Sequence, residues 1–173
     1  MKPSSETLSS IKLLLLDVDG VLTTGQVVYT DSGEEIKAFS VKDGLGLRMA
    51  MECGIQVGIV TGRCSGALLH RCRNLGIALV FDNVHDKAAK LQEITDQTGI
   101  ATEHMAFVGD DLPDIPLMRR VGLAIAVADA AQEVIAAADT VTAAKGGRGA
   151  VRETCEKLLK ARGEWKSILE RFS

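Results

Sequence analysis

The sequence predicts an α/β fold in which helices cover both faces of a doubly wound parallel sheet. Short apolar segments alternate along the chain with helical segments of about ten residues, which is the element order of such a sheet. The apolar segments are nearly unbroken, as strands buried on both faces require. In these sheets ligands bind beyond the carboxyl ends of the strands, so the residues that follow each strand are the first candidates for function.

The composition agrees with a single globular domain over residues 1–173. Hydrophobic residues make up 46% of the chain and charged residues 25%, which excludes intrinsic disorder as the main state. A net charge of −3 and 3% aromatic residues argue against nucleic acid and anionic membranes as partners. The apolar runs are far shorter than the roughly 20 residues of a spanning helix, and residues 1–10 lack the apolar core of a signal peptide. We therefore expect a cytoplasmic protein.

The first elements of the fold follow from local composition. Residues 1–10 are polar, and we expect them to be frayed. Residues 11–16 form an apolar run that is too short for a helix and therefore predicts a buried strand. Turn residues at positions 31–33 lie between two β-prone segments and predict a β-hairpin inserted over residues 24–40.

Apolar residues at helical spacing, with glycines after the last turn, predict the helices, and short apolar runs predict the remaining strands. The predicted strands cover residues 55–60, 77–81, 105–108, 123–127 and 139–141. The predicted helices cover residues 45–53, 65–75, 86–98, 113–121 and 130–137, followed by a C-terminal helix and tail over residues 148–172 that bends near Gly163.

Carboxylates follow two of the predicted strands. Asp17 and Asp19 come directly after the first strand, and Asp110 and Asp111 follow a later strand, with Asp114 nearby. Each group alone could be a solvated acidic turn or the acidic start of a helix. At one edge of a sheet, however, carboxylates repel unless a cation lies between them. Oxygen ligands of this kind suit Mg²⁺, which also binds phosphate groups, so the pattern favours a magnesium site.

Thr61, Gly62 and Arg63 close another strand, and Lys87 follows the next one. A hydroxyl beside a flexible backbone is able to bind a phosphate oxygen, although Thr-Gly is also common where a strand ends and a loop begins. Lys87 is expected at the start of a helix. It is either a plain surface lysine or a cation that neutralises the carboxylates and a bound phosphate.

Four segments resemble, in this order, the motifs of the haloacid dehalogenase superfamily of phosphohydrolases: residues 17–23 (DVDGVLT), 61–63 (TGR), Lys87 and residues 109–114 (GDDLPD). Three further segments resemble the 3-deoxy-D-manno-octulosonate 8-phosphate phosphatases: residues 41–46 (VKDGLG), 121–130 (VGLAIAVADA) and 145–153 (KGGRGAVRE). The similarity spans about residues 11–160. It implies a Rossmann-like, haloacid dehalogenase-like fold with a small β-hairpin insertion and no large cap domain.

The resemblance implies a Mg²⁺-dependent phosphatase that forms an aspartyl-phosphate. Asp17 would be the nucleophile, and Asp19 would protonate the leaving sugar oxygen and then activate water. Thr61 and Lys87 would hold the phosphoryl oxygens. The implied metal ligands are Asp17, Asp110 and the backbone carbonyl of Asp19, with Asp111 and Asp114 supporting the metal site from outside.

The implied substrate is an acidic sugar phosphate, 3-deoxy-D-manno-octulosonate 8-phosphate (KDO 8-phosphate), a precursor in lipopolysaccharide synthesis. In the family the hairpin takes the place of a cap, and neighbouring subunits of a homotetramer help to cover the site. Three arginines suit a substrate with its own carboxylate. The alternative for Arg48 and Arg71 is that they are ordinary surface residues of helices. The residues implied in substrate binding are Asp19, Ser40, Val41, Lys42, Asp43, Gly44, Arg48, Arg63, Arg71 and Lys87.

Two departures from the family pattern leave alternatives open. Residues 81–83 (FDN) stand where the family often has Tyr-Gln-Gly, and Lys42 stands where arginine is common. A phosphatase for nine-carbon sialic-type acid phosphates is therefore an alternative, and so is a catalytically silent oligomerisation domain. A signalling receiver domain is disfavoured, because its phosphorylated aspartate ends the third strand, whereas the paired acids here follow the first and fourth strands of the predicted sheet.

Overall fold

The computed structural model describes residues 3–172, which form a parallel sheet with flanking helices and a separate hairpin. The strands are β1 (Leu13–Leu16), β2 (Val28–Tyr29), β3 (Glu35–Ile36), β4 (Gln56–Val60), β5 (Leu79–Phe81), β6 (Met105–Gly109), β7 (Leu123–Ala126) and β8 (Thr140–Val141). The helices are α1 (Ser5–Ser10), α2 (Val41–Glu52), α3 (Gly66–Leu75), α4 (Lys90–Thr98), α5 (Ile115–Met118), α6 (Gln132–Ala137), α7 (Ala150–Ala161) and α8 (Trp165–Glu170). Short 3-10 helices cover Thr102–His104 and Leu112–Asp114.

The central strand of the sheet is β1, whose leucines are all fully buried. The strand order is β5-β4-β1-β6-β7-β8, and these pairings are parallel. The chain builds β4 and β5 on one side of β1 and then crosses to build β6, β7 and β8 on the other. The strand order therefore reverses at β1. A sheet of this kind binds its ligands in the crevice beyond that point, at the ends of β1, β4 and β6.

The helices and the sheet share one hydrophobic core. α2 packs against α7 and β4, while α5 and α6 pack against β7. Their buried side chains join those of the strands in one continuous cluster. The predicted α/β class with a parallel sheet is confirmed, and the segment over residues 24–40 carries a small antiparallel hairpin, as expected.

Two helices begin four residues away from their predicted starts. α2 begins at Val41 rather than at residue 45, because the Ser40 hydroxyl accepts a hydrogen bond from the Asp43 amide and caps the helix. α4 begins at Lys90, and the predicted first part of this helix is a turn that leads into it, in which the Asp86 carboxylate accepts a hydrogen bond from the Ala89 amide.

The predicted helix over residues 113–121 is shorter than expected, being a 3-10 turn followed by α5. Proline at positions 113 and 116 removes two backbone donors from this segment, which weakens a continuous α-helical ladder. The segment therefore turns tightly where it leaves β6, and this turn carries the acidic residues that follow that strand.

The N-terminal segment is folded rather than frayed. Ser4 caps α1 by accepting a hydrogen bond at 3.0 Å from the Thr7 amide. Leu8 packs against the hydrophobic core, and α1 contacts α7. The predicted fraying is therefore wrong for residues 4–10, because tertiary packing stabilises a helix that its polar sequence does not reveal. Met1 and Lys2, which were included in that prediction, lie outside the described residues.

The hairpin formed by β2 and β3 is shorter than predicted, since each strand covers only two residues. Val28 pairs with Ile36 in its antiparallel register. Val27, Val28, Tyr29 and Ile36 are exposed. A lone two-stranded hairpin is marginally stable in water, so this exposed apolar surface is unusual for a single chain.

The C-terminal helix divides where the sequence predicts a bend. Gly163 adopts a left-handed conformation with φ of 75° and separates α7 from α8. Within residues 3–172, none of the helices combines the length and the apolar character needed to cross a lipid bilayer.

Candidate active site

The ends of β1, β4 and β6 form an acidic cleft of about 340 Å³. Asp17 follows β1, Thr61 follows β4 and Asp110 follows β6, so parallel pairing brings these side chains to one edge of the sheet. Residues with a predicted catalytic or metal-related role all line this cleft. Its lining consists of Asp17, Asp19, Gly25, Thr61, Gly62, Arg63, Val84, Lys87, Asp110, Asp111, Pro113 and Asp114.

Lys87 holds two carboxylates inside the acidic cleft. Its ammonium group donates to Asp17 Oδ1 at 2.7 Å and to Asp114 Oδ1 at 2.6 Å, and its side chain is 5% exposed. Burial disfavours the charge of Lys87, but the two carboxylates outweigh burial and raise its pKa above the ordinary value. The lysine lies in the turn before α4 rather than on the helix. The alternative of a plain surface lysine is therefore excluded.

The carboxylates of the acidic cleft carry more negative charge than Lys87 neutralises. Among the described residues, Asp17, Asp110 and Asp114 each place an oxygen within 4.8 Å of the others. Burial raises the pKa of Asp17 to about 6, against the opposing charge of Lys87. Burial, together with the charges of Asp17, Asp114 and Asp111, raises the pKa of Asp110 to about 8. The cluster therefore resists full ionisation in the absence of a cation.

Asp110 indicates that a hard divalent cation fits this cluster. Its Oδ1 atom is buried and has no hydrogen-bond partner among residues 3–172. Gly20 approaches the same carboxylate with a φ of 93°, and a Cβ atom at this position would collide with Asp110 Oδ2. Unpaired carboxylate oxygens among like charges match the donors that Mg²⁺ prefers. The residues present are thus suited to an oxygen-coordinated metal.

Asp114 and Asp111 organise the loop that carries Asp110. Oδ2 of Asp114 accepts hydrogen bonds from the amides of Asp110 at 2.8 Å and Asp111 at 3.3 Å. The other oxygen of Asp114 accepts from Lys87. Asp111 accepts from the Leu112 amide at 2.8 Å and caps the 3-10 turn. Both oxygens of Asp114 are therefore engaged by protein donors, which suits a supporting role beside the metal more than direct ligation.

The hairpin brings two residues to the acidic cleft that the motifs do not indicate. Lys37 forms an ion pair with Asp19 Oδ1, and its ammonium group also lies 3.3 Å from Glu35 Oε1. Glu35 accepts a hydrogen bond at 2.9 Å from Arg63 Nη2. The sequence does contain a signal for this arrangement. Glu35, Lys37 and Phe39 alternate in an extended segment, so their side chains share one side.

Two of the three predicted substrate-binding arginines lie elsewhere. Arg48 and Arg71 line a second cleft of about 230 Å³ between α2 and α3, here called the arginine cleft. Arg48 donates to the Asn74 carbonyl at 2.7 Å, and Arg71 donates to the Ser40 carbonyl at 3.1 Å. The described lining of the arginine cleft shares no residue with the acidic cleft, and consists of Val41, Gly44, Leu45, Arg48, Arg71 and Leu75. The three arginines therefore do not converge within one chain.

Asp43 is not part of the lining of the acidic cleft and instead contacts the start of α7. The residue is 1% exposed, and its carboxylate accepts hydrogen bonds from the amides of Arg152 at 2.8 Å and Gly149 at 3.3 Å. This arrangement caps the N-terminus of α7, where the helix dipole favours a negative charge. Both carboxylate oxygens of Asp43 are thus engaged at a helix end, and its contact with the substrate stays a prediction. Its neighbour Lys42 is exposed.

Comparisons with known proteins agree with this geometry. Residues 74–152 match the family described as haloacid dehalogenase-like hydrolase. The 3-deoxy-D-manno-octulosonate 8-phosphate phosphatase KdsC of Escherichia coli strain K12 is 47% identical over 155 residues, which cover 90% of this chain and 82% of the relative. The corresponding protein of Haemophilus influenzae is 42% identical over 159 residues, covering 92% of this chain and 88% of the relative.

A solved structure extends the similarity to three dimensions. The 3-deoxy-D-manno-octulosonate 8-phosphate phosphatase of Moraxella catarrhalis, crystallised with a magnesium ion, a phosphate ion and a KDO molecule, superposes with a TM-score of 0.95 at 40% identity. The match covers 98% of this chain and 97% of that one. On the extent of these similarities, the chain belongs to the 3-deoxy-D-manno-octulosonate 8-phosphate phosphatase family of haloacid dehalogenase-like hydrolases.

Proposed function

We propose that this protein is a Mg²⁺-dependent phosphatase that converts 3-deoxy-D-manno-octulosonate 8-phosphate to KDO and phosphate, in the synthesis of lipopolysaccharide precursors. The observation that carries the proposal is the cluster of Asp17, Asp110 and Asp114 with Lys87 bound to two of them. It occurs in a chain that is 40% identical to a phosphatase whose crystal structure contains magnesium, phosphate and KDO. Its carboxylates need a cation before they accept a phosphate dianion. We place the reaction in the cytoplasm.

The metal would be held by Asp17, Asp110 and the backbone carbonyl of Asp19, with Asp111 and Asp114 supporting them. When bound, Mg²⁺ neutralises the carboxylates and the phosphoryl group that they face. The orphaned Oδ1 of Asp110 supports this ligand set. The protein donors on both oxygens of Asp114 support its role outside the ligand set.

Asp17 would act as the nucleophile. Lys87 fixes its Oδ1, so Oδ1 and Oδ2 are no longer equivalent and the carboxylate is held in one orientation. A carboxylate oxygen of Asp17 forms a bond to phosphorus while the bond to the sugar oxygen breaks. Asp19 gives a proton to that departing oxygen, and it later takes a proton from the water that hydrolyses the aspartyl-phosphate. Thr61 and Lys87 hold the phosphoryl oxygens during both steps.

Binding of the sugar acid would involve more than one subunit. Arg63 lines the acidic cleft of its own chain, whereas Arg48 and Arg71 line the arginine cleft together with Val41 and Gly44. We propose that the arginine cleft and the segment containing Ser40 and Lys42 serve the acidic cleft of a neighbouring subunit. A guanidinium group binds a carboxylate through two parallel hydrogen bonds, which a neutral sugar does not offer.

The neighbouring subunits would belong to a homotetramer with the hairpin, residues 26–39, at its centre. The exposed apolar side chains of the hairpin support this arrangement, because pairing with copies of itself would remove both the exposed surface and the open strand edges. Arg148 and Arg152 are proposed at a subunit contact.

Phosphate release from a panel of sugar phosphates tests the function. The panel contains KDO 8-phosphate, a nine-carbon sialic-type acid 9-phosphate and glucose 6-phosphate, each with and without Mg²⁺. We expect kcat/KM for KDO 8-phosphate to exceed that for glucose 6-phosphate by at least about tenfold. Preference for the nine-carbon acid would support the proposed reaction but contradict the proposed substrate. Residues 81–83 would then be the first candidates for the cause of the altered preference. Absence of turnover on every member would support the silent oligomerisation domain instead.

A further inference from the structure

Lys37 connects the hairpin to the catalytic loop. Its side chain is 3% exposed, and its ammonium group contacts Oδ1 of Asp19 and lies 3.3 Å from Oε1 of Glu35. A buried ammonium group is stable only with such partners, because its desolvation is otherwise costly. Glu35 belongs to β3, whereas Asp19 belongs to the loop after β1. The position of the hairpin is therefore tied to the position of the Asp19 carboxylate.

The same contact distinguishes the two oxygens of Asp19. A lysine ammonium group has three donors and no acceptor. Oδ1 therefore accepts a hydrogen bond from Lys37, and a proton on Oδ1 would find no acceptor there. Oδ2 lies 3.9 Å from Arg63 Nε, which is beyond hydrogen-bond length. Oδ2 is therefore the oxygen that remains able to carry and transfer a proton. Charge-assisted hydrogen bonds are short and directional, so Lys37 also fixes the plane of the carboxylate.

We propose that Lys37 is a positioning residue for the phosphatase reaction: it anchors Oδ1 of Asp19 so that Oδ2 faces the leaving oxygen of the substrate. This inference rests on the proposed function, and in particular on Asp19 as the proton donor. As the Asp17 oxygen bonds to phosphorus, the electron pair of the broken phosphorus–oxygen bond passes to the sugar oxygen. That oxygen takes the proton from Oδ2, and Asp19 becomes the carboxylate that later accepts a proton from water.

The positioning role predicts an effect that depends on the leaving group. An alkoxide of a sugar leaves poorly without a proton, whereas 4-nitrophenolate leaves without one. The value of kcat/KM reports the steps up to phosphoryl transfer, so it isolates the protonation of the leaving group from the later hydrolysis. If Lys37 only stabilised the fold, its removal would lower kcat/KM equally for both substrates.

The test compares Lys37→Met with wild type on KDO 8-phosphate and on 4-nitrophenyl phosphate, in the same protein preparations. We expect kcat/KM to fall by about 30-fold for the sugar phosphate and by less than about threefold for the aryl ester. The loss on the sugar phosphate is smaller than the roughly 10²- to 10⁴-fold that a general acid itself contributes, because the variant misplaces the proton donor without removing it. The ratio between the two substrates is independent of how much of the variant is folded. Lys37→Arg keeps a charged donor and should recover part of the loss. Lys166→Met removes an exposed lysine on α8 and should match wild type.

A double-variant cycle shows whether Lys37 acts through Asp19. Asp19→Asn alone should lower the same ratio, and adding Lys37→Met should lower it by no more than about twofold further, because the group being positioned is already absent. Equal losses on both substrates, or additive losses in the double variant, would overturn the positioning role while leaving the phosphatase proposal intact. Wild-type protein that releases phosphate from neither substrate would overturn both.

Discussion

The acidic cleft and the arginine cleft differ in how much of their chemistry a single chain supplies. In the acidic cleft short side chains extend directly from strand ends, and Lys87 links Asp17 to Asp114 through bonds of 2.7 and 2.6 Å. In the arginine cleft the long side chains of two arginines extend from helix surfaces. They donate hydrogen bonds to the backbone carbonyls of Asn74 and Ser40. The first arrangement brings together all the residues with a proposed catalytic role, whereas the second lies outside that cleft. In the function proposed above, one chain therefore supplies the groups for the reaction, whereas selectivity for the sugar acid depends on assembly.

Removing the proposed nucleophile, Asp17, should have the largest effect on the activity of the acidic cleft. We expect Asp17→Asn to lower phosphate release by a factor on the order of 10³ or more. The fold should persist, because the substitution removes one charge from a crowded cluster and reduces repulsion. Phosphate release and circular dichroism measure the two outcomes, and Asp96→Asn on the exposed face of α4 is the matched control. Substantial turnover by purified Asp17→Asn would disprove its role as nucleophile.

Removing the divalent cation should abolish the activity of the acidic cleft while leaving the protein folded. We expect EDTA to stop phosphate release and excess Mg²⁺ to restore it, since the carboxylates repel a phosphate dianion in the absence of a cation. Mg²⁺ should also raise the melting temperature of wild type by binding the native state. The rise should be smaller in Asp110→Asn. Full activity after exhaustive chelation would contradict the metal site.

The contribution of the arginine cleft to substrate preference should be measurable in mixtures of variant subunits. Arg71→Ala alone should reduce the preference for KDO 8-phosphate over glucose 6-phosphate by about tenfold, with little effect on 4-nitrophenyl phosphate. Asp17→Asn subunits lack the proposed nucleophile but retain Arg71. Co-refolding them with Arg71→Ala subunits should restore part of the preference if one chain completes the site of another.

Two measurements decide that prediction about assembly. Light scattering at micromolar concentration should give the mass of a tetramer for wild type, and a monomer would refute the shared site. Arg63→Ala, in contrast, should not be rescued by mixing, because Arg63 lines the acidic cleft of its own chain. Rescue of Arg63→Ala by mixing would contradict the assignment of Arg63 to the site of its own chain.

The smallest expected effect is the pH dependence of stability in the metal-free protein. The pKa values of Asp17 and Asp110 are raised to about 6 and about 8, so the native state binds protons more tightly than the unfolded chain. Stability from these groups is therefore greatest below about pH 4. It is lost as pH rises from there to about 6 for Asp17 and to about 8 for Asp110. We expect the melting temperature in EDTA to drop by a few degrees between pH 6 and pH 8.

Substitution at Asp110 separates this effect from other titrations. Asp110→Asn should flatten the decline of the melting temperature, because the group with the higher pKa no longer ionises. Saturating Mg²⁺ should oppose the decline as well, since the cation binds the ionised carboxylates that higher pH provides. A melting temperature of metal-free wild type that rises between pH 6 and pH 8 would contradict the assigned electrostatics.

Much of the acidic cleft could be predicted because its residues adjoin strands that the sequence makes plain. Asp17, Thr61 and Asp110 each follow an apolar run, and parallel pairing alone brings the ends of such runs together. The arginine cleft could not be predicted in the same way. Residue spacing shows that Arg48 and Arg71 lie on helices, but the direction of those helices determines which cleft they line.

The sequence by itself determined the α/β class, the hairpin insertion and the residues at the strand ends, because these depend on local periodicity and on the steric rules of parallel sheets. Only the tertiary structure decided the partners of side chains that are distant in the sequence. Lys37 meets Asp19 across 18 positions, and Asp43 caps α7 across 109. Such contacts depend on how whole elements pack, since a charge is stabilised by whatever group the fold places within a few ångströms of it.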